Sequence, residues 1–216
     1  MPLKPEKTSF FTQDNIKITA NYWPATSKKA VILIHQFNNS KESYNSLAEL
    51  LNENNYAVLA IDLRGHGESK AQGTLASPVY LQPKDFTDMN LDLKAAKEFL
   101  QEKGFNEFYL VGASIGANLA IIYPTQNTGF KAAIALSPGE DYKSLTPLPY
   151  AKKVSVSTMI VASTDDKYSF DSAKKIHSLM KCKKKLVELK NAGHGTFMLE
   201  NESNLSKQIL EWLNQN

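Results

Sequence analysis

Disulfides are the first thing this chain cannot have. Cys182 is its one cysteine, so no internal bridge can form and a reducing compartment is expected. Charge of one sign is also lacking. Lys and Arg number 25 against 22 Asp and Glu, a net charge of +3 over 216 residues. That balance argues against a nucleic-acid partner or a membrane-surface footprint. Long apolar runs are missing too. Residues 30–34, Ala-Val-Ile-Leu-Ile, are among the longest. A membrane helix needs roughly 20 apolar residues. The opening M-P-L-K-P-E-K carries no apolar signal core. No Cys/His set has zinc spacing and no G-x-x-x-x-G-K loop is present, so neither metal nor cofactor is expected. What remains is globular in composition, 42% hydrophobic and 22% charged, with no internal repeat and no linker. A soluble, cytoplasmic protein with one domain over residues 1–216 is expected.

The hydrophobic pattern alternates between strand and helix. Residues 8–12 and 16–23 are rich in β-branched and aromatic residues around Asp14 and Asn15, which reads as a hairpin. Buried strands are predicted at 30–34, 56–61, 108–111, 132–136, 158–162 and 185–189. Helices are predicted at 42–54, 84–103, 115–122, 170–181 and 203–213, with apolar residues at helical spacing. This order implies an α/β fold: a mostly parallel sheet with helices on both faces and an antiparallel N-terminal hairpin. Residues 138–153 are the least regular stretch.

Gly112-Ala-Ser-Ile-Gly116 is the central motif. By itself G-x-S-x-G is weak, and it fits a helix N-cap serine in a glycine-rich turn equally well. Its setting is more specific. A predicted strand leads in and an apolar helix follows, as in a nucleophile elbow. Ser114 would need a base and an orienting acid. In hydrolases built on such an elbow, acid and histidine follow the serine. Of His35, His66, His177 and His194, that leaves the last two. His177 lies within a predicted helix, whereas His194 sits in Asn191-Ala-Gly-His-Gly195, a turn after a strand. His194 is therefore the candidate base. Asp165 and Asp166 both follow the strand at 158–162, and either could instead cap the next helix.

Four motifs in order make the chain resemble an α/β-hydrolase, of the small lidless kind near the dienelactone hydrolases and small carboxylesterases. Besides the elbow they are Leu33-Ile-His-Gln36, Asp62-Leu-Arg-Gly-His-Gly-Glu-Ser69 and Ala192-Gly-His-Gly195. The resemblance implies Ser114 as nucleophile and His194 as base. Its acid frame, laid on residues 157–166, puts Ser163 at the small position and Asp166 at the acid, with Asp165 as the alternative. It also implies an oxyanion hole from the backbone N–H groups of Phe37 and Ile115. His35 and His66 fall at positions that brace loops. Gln36 departs from the family's glycine, and would contact substrate or face solvent. The nucleophile is serine where dienelactone hydrolases use cysteine, and Cys182 looks incidental.

The expected reaction is hydrolysis of a small-molecule, short-chain carboxylic ester. Residues 138–153 are too few for a helical cap, so the pocket should be open, with Tyr80, Leu81, Tyr142 and Leu145 as candidate lining. A thioesterase or peptidase with the same triad is the alternative within the class. A non-catalytic binding or scaffold protein on this fold is the alternative outside it.

Overall fold

The computed structural model describes residues 4–216. The chain divides into two compact units, one ending at Phe108 and the other spanning Tyr109–Asn216.

In the first unit, β1 (Glu6–Phe11) and β2 (Lys17–Trp23) pair antiparallel, with Phe10 opposite Ile18. The turn between them closes through Thr12, whose N–H donates to the Ile16 carbonyl at 2.9 Å and whose hydroxyl donates to Asp14. β3 (Lys29–Ile34), α1 (Asn45–Glu53), β4 (Ala57–Ile61) and α2 (Pro83–Glu102) follow. The strands lie in the order β1-β2-β4-β3. β2 meets β4 antiparallel, and β3 meets β4 parallel. Every residue of β4 and residues 30–34 of β3 are buried, the pattern expected when both faces of a strand are covered. α1 buries Leu47, Ala48 and Leu51, while α2 buries Phe86, Met89, Leu93, Ala96 and Leu100.

β5 (Glu107–Ala113) leads into the second unit. There follow α3 (Ile115–Ile122), β6 (Phe130–Leu136), α4 (Leu148–Ala151), β7 (Ser157–Ser163), α5 (Lys167–Leu179), β8 (Lys184–Leu189), α6 (Phe197–Asn201) and α7 (Leu205–Asn214). The strands stand in sequence order, β5-β6-β7-β8, and β6–β7 and β7–β8 pair in parallel. Ala117 and Ile121 of α3, Ala135 of β6, Ile160 and Ala162 of β7, and Ala173 and Ile176 of α5 form one core cluster. Alanines at these positions let the helices approach the sheet closely.

Three features differ from the sequence expectation. α5 starts at Lys167, not residue 170, because Lys167-Tyr-Ser169 has no apolar stripe to announce a helical turn. α4 and α6 were not predicted; four and five residues are too short to show a helical period. Among the described residues no helix is long and apolar enough to cross a membrane.

The Asp62–Ser69 segment has a structural job. Asp62 is fully buried and accepts from the Lys41 N–H at 2.8 Å, the Lys41 ammonium at 2.8 Å and the Glu68 N–H at 2.9 Å. Gly67 is required beside it, since a Cβ there would lie 2.3 Å from the Asp62 carboxyl carbon. Arg64 donates through Nε to Asp92 at 2.8 Å and through Nη1 to Asp14 at 2.8 Å, tying the segment to α2 and to the first turn. Ser69 accepts from the Thr19 N–H at 2.8 Å. Lys41, 2% exposed, also reaches Glu68 at 2.8 Å. Hydrogen bonds from Lys41 and Lys7 hold the Glu68 carboxyl down at about 2. A depressed folded-state value means a contribution present above the ordinary carboxylate range and lost as pH falls toward 2.

Removing one partner of a buried ion pair strands the other. Lys41→Met should therefore lower unfolding free energy by about 3 kcal/mol in urea titrations at pH 7. Its deficit relative to wild type should shrink in acid, as Glu68 protonates and the wild type loses its own contribution.

Candidate active site

β5 ends at Ala113 and α3 begins at Ile115, so Ser114 alone makes the turn. It does so at φ 54° and ψ −112°, a left-handed conformation that side chains disfavour. The Ser114 N–H donates to the Leu136 carbonyl at 2.9 Å, and its own carbonyl accepts from Asn118 N–H at 3.0 Å. The turn is tight enough to exclude any side chain two residues earlier. A Cβ on Gly112 would sit 2.0 Å from the Gly116 carbonyl oxygen. As the first residue of α3, Ile115 has an N–H with no acceptor within the helix, next to the serine hydroxyl.

Both aspartates after β7 are used, in different ways. Asp166 Oδ2 accepts from His194 Nδ1 at 2.6 Å. Asp165 takes a hydrogen bond from the Ser163 hydroxyl and another from the Gly193 N–H at 3.2 Å. Ser163 in turn accepts from the Ala192 N–H at 2.9 Å, and Asn201 of α6 donates to the Ala192 carbonyl at 3.1 Å. On the far side of the histidine, Gly195 N–H donates to the Ser137 hydroxyl at 2.9 Å. Asp165 thus fixes the histidine loop by its backbone, and Asp166 fixes the ring. Asp166 stands at the N-cap position of α5 without making a side-chain cap, its carboxylate being turned to His194 instead.

The charge state follows from these contacts. Burial pushes the Asp166 carboxyl up, but hydrogen bonds from His194 and Ser169 outweigh it and leave the group below the usual carboxylate range. An ionised Asp166 requires the proton on Nδ1, which leaves Nε2 with a lone pair. Tyr142, in the loop after β6, stands beside the acid–histidine pair. Its ring stands edge-on to His194 with centroids 6.1 Å apart, and its hydroxyl is 2.7 Å from Ser169 Oγ.

The other candidates fall elsewhere. His177 is half-buried in α5, where its carbonyl accepts from Lys184 Nζ at 2.7 Å. His35 and His66 are fully buried in the first unit, and burial pushes both down to about 4. His35 donates to the Gln36 carbonyl at 2.7 Å and accepts from the Leu63 N–H at 3.1 Å, and His66 donates to the Arg64 carbonyl at 3.1 Å. They brace loops. Gln36 is buried rather than facing solvent. The Phe37 ring meets His66 edge-on at 5.6 Å. Leu145 is buried, Leu81 packs over Gly65, and Tyr80 is exposed. Cys182 is half-buried, 4.0 Å from the Thr158 hydroxyl. Ser163, Ser169, Ser137 and Asn118 escaped the sequence reading as site residues. A buried asparagine amid the small apolar residues of α3 was the one signal available.

The strand–serine–helix turn, with an acid–histidine pair after later strands, defines an α/β-hydrolase. Residues 25–191 match the family described as serine aminopeptidase, S33, and the chain belongs to that family. The matched span includes Ser114 and Asp166 and stops short of His194. Over 112 residues the chain is 27% identical to monoacylglycerol lipase abhd6-B of Xenopus laevis, a match covering 51% of this chain and 30% of that protein. It therefore spans less than a third of that relative. An esterase of Pyrococcus furiosus superposes with a TM-score of 0.83 at 19% identity, covering 98% of this chain and 92% of the esterase. A dienelactone hydrolase from Anabaena variabilis gives 0.78 at 17% identity, over 99% of each chain. At such identities the likeness is one of fold.

Gly112→Ala tests the elbow without touching a polar group. The methyl collides with backbone rather than with a movable side chain, so the loss should reach about 3 kcal/mol, the upper end for overpacking. Thermal unfolding monitored by circular dichroism reads it, and a variant as stable as wild type would contradict the tight packing of Gly112 on Gly116.

Proposed function

We propose that this protein hydrolyses short-chain carboxylic esters through an acyl-enzyme on Ser114. The observation that carries the reading is the 2.6 Å contact between His194 Nδ1 and Asp166, on the same compact unit as the strained Ser114 elbow. His194 Nε2 takes the Ser114 proton as Oγ attacks the ester carbonyl. Asp166 keeps the ring in the Nδ1–H tautomer and stabilises the imidazolium. The Ile115 N–H donates to the oxyanion, a contribution of about 3 kcal/mol per donor in comparable sites. His194 then protonates the departing alcohol, and water, deprotonated by the same nitrogen, releases the acid.

The shortness of residues 138–153 supports a small substrate. They hold only the four-residue α4, not a helical cap. We read residues 1–216 as one hydrolase domain, cytoplasmic by its lone free cysteine, working without cofactor on a small-molecule ester. A second reading rests on the family's description, which names an aminopeptidase. The same triad would then cleave an amide.

A fluorophosphonate probe separates enzyme from scaffold. The wild type should label at Ser114, and Ser114→Ala should neither label nor turn over while keeping its melting temperature. An unlabelled wild type would sink the catalytic reading. A panel of p-nitrophenyl esters, acyl thioesters and aminoacyl p-nitroanilides then separates esterase from thioesterase and peptidase. Asp166→Asn should cut kcat by about four orders of magnitude, because the amide favours the wrong imidazole tautomer. Asp165→Asn, which alters only the support of the histidine loop, should cost less than about tenfold. The reverse order of these two effects would reassign the acid.

A further inference from the structure

We propose that Tyr142 and Ser169 form a positioning couple that fixes the Asp166–His194 pair in its working orientation. The inference rests on the hydrolytic reading above and goes beyond its three side chains.

Ser169 Oγ lies 2.7 Å from the Tyr142 hydroxyl and 3.4 Å from His194 Nδ1, the ring nitrogen that Asp166 Oδ2 meets at 2.6 Å, and its hydroxyl is one of the groups that hold the Asp166 carboxyl down. Ser169 has one proton to give. The charged carboxylate is a stronger acceptor than a phenol, so Ser169 donates to Asp166 and accepts from Tyr142. Asp166 is then held by two donors, the His194 N–H and the Ser169 O–H. Two donors restrict the plane of a carboxylate far more than one. Burial pushes the phenol up to about 12, so it stays a donor throughout the neutral range.

Tyr142 is itself held in place more firmly than a loop residue needs to be. Its ring lies against Gly139 so closely that a Cβ there would be 2.6 Å from two ring carbons. Asn118, fully buried on the helix that starts after Ser114, clamps both ends of the loop. Its amide donates to the Gly139 carbonyl at 3.0 Å and to the Leu145 carbonyl at 2.7 Å, and its oxygen accepts from the Gly139 N–H at 3.0 Å. Tyr142 and Leu145 exchange backbone hydrogen bonds of 3.2 and 3.0 Å. From α5, Tyr168 packs its ring on Tyr142 at 5.5 Å, and its hydroxyl bonds the Asp141 backbone at 3.0 Å. Ser169, fully buried, is carried on the same first turn of α5. One loop and one helix turn thus converge on a phenol hydroxyl that meets Ser169 beside the His194–Asp166 contact.

Tyr142→Phe keeps the ring on Gly139 and removes only the hydroxyl, and Ser169→Ala removes the other member. Each should lower kcat for p-nitrophenyl acetate roughly tenfold with KM within twofold and an unchanged melting temperature. The double variant should lose no more than the worse single one, since the two act as a unit. A second readout does not need turnover. The His194 Nδ1 proton gives a downfield proton resonance, identified by its loss in Asp166→Asn, and it should broaden or shift in Ser169→Ala. Turnover within twofold of wild type together with an unmoved resonance overturns the couple. A wild type that neither labels nor turns over, yet whose resonance responds to Ser169→Ala, overturns the hydrolase reading and leaves the coupling in place.

Discussion

A single hydrogen bond joins the ends of two neighbouring strands, His194 Nδ1 to Asp166 Oδ2 at 2.6 Å, across 28 residues of sequence. Its geometry depends on the register between β7 and β8. These strands pair in parallel with Ser163 opposite Leu189, so their following loops leave from the same sheet edge. From there the chain spends several polar groups on holding one imidazole. Ser163 and Asp165 grip the backbone of the histidine loop on one side, and Ser137 grips it on the other. A loop carries ligand-facing residues best when the scaffold beneath it is rigid.

The second constraint is steric. Ser114 occupies a backbone conformation that costs on the order of 1–3 kcal/mol, and such strain persists only where surroundings over-determine it. Here the surroundings are the contact of Gly112 with Gly116 and the wholly buried helix α3. The elbow is thus set by packing. The hydroxyl itself contributes nothing to the turn, because it makes no cap hydrogen bond to α3. Strain, burial and a side chain that caps nothing set this serine apart from an ordinary helix N-cap.

Environment also sorts the four histidines. His35 and His66 are fully buried and braced by backbone groups, and burial holds them neutral. His177 lies half-buried on α5 with no carboxylate hydrogen-bonded to its ring among the described contacts. His194 alone joins a side chain 36% exposed to a carboxylate partner. The same contrast divides the carboxylates. Asp62 and Asp92 are spent on Lys41 and Arg64, holding the first unit together, whereas Asp166 is turned toward an accessible ring.

Much of this was legible in the sequence. Residues 30–34 and 132–136 are continuous apolar runs, and a run of that length bounded by polar residues has few uses other than a strand covered on both faces. Gly112 and Gly116 flank Ser114 at the spacing a strand–turn–helix elbow needs. His194 stands out by lying in a glycine turn after a strand. These are properties of neighbours along the chain, and composition and period report them directly. What the sequence left open was decided by direction in space. Asp165 and Asp166 are chemically identical neighbours, and only the path of the chain after Ser163 turns one toward the ring and the other toward the loop backbone. Tyr142, Ser169 and Asn118 carry no motif at all. They meet because α3, the loop after β6 and the first turn of α5 fold over the same end of the second unit. A side chain's partners across 25 or 27 residues are set by tertiary packing, which no local pattern encodes.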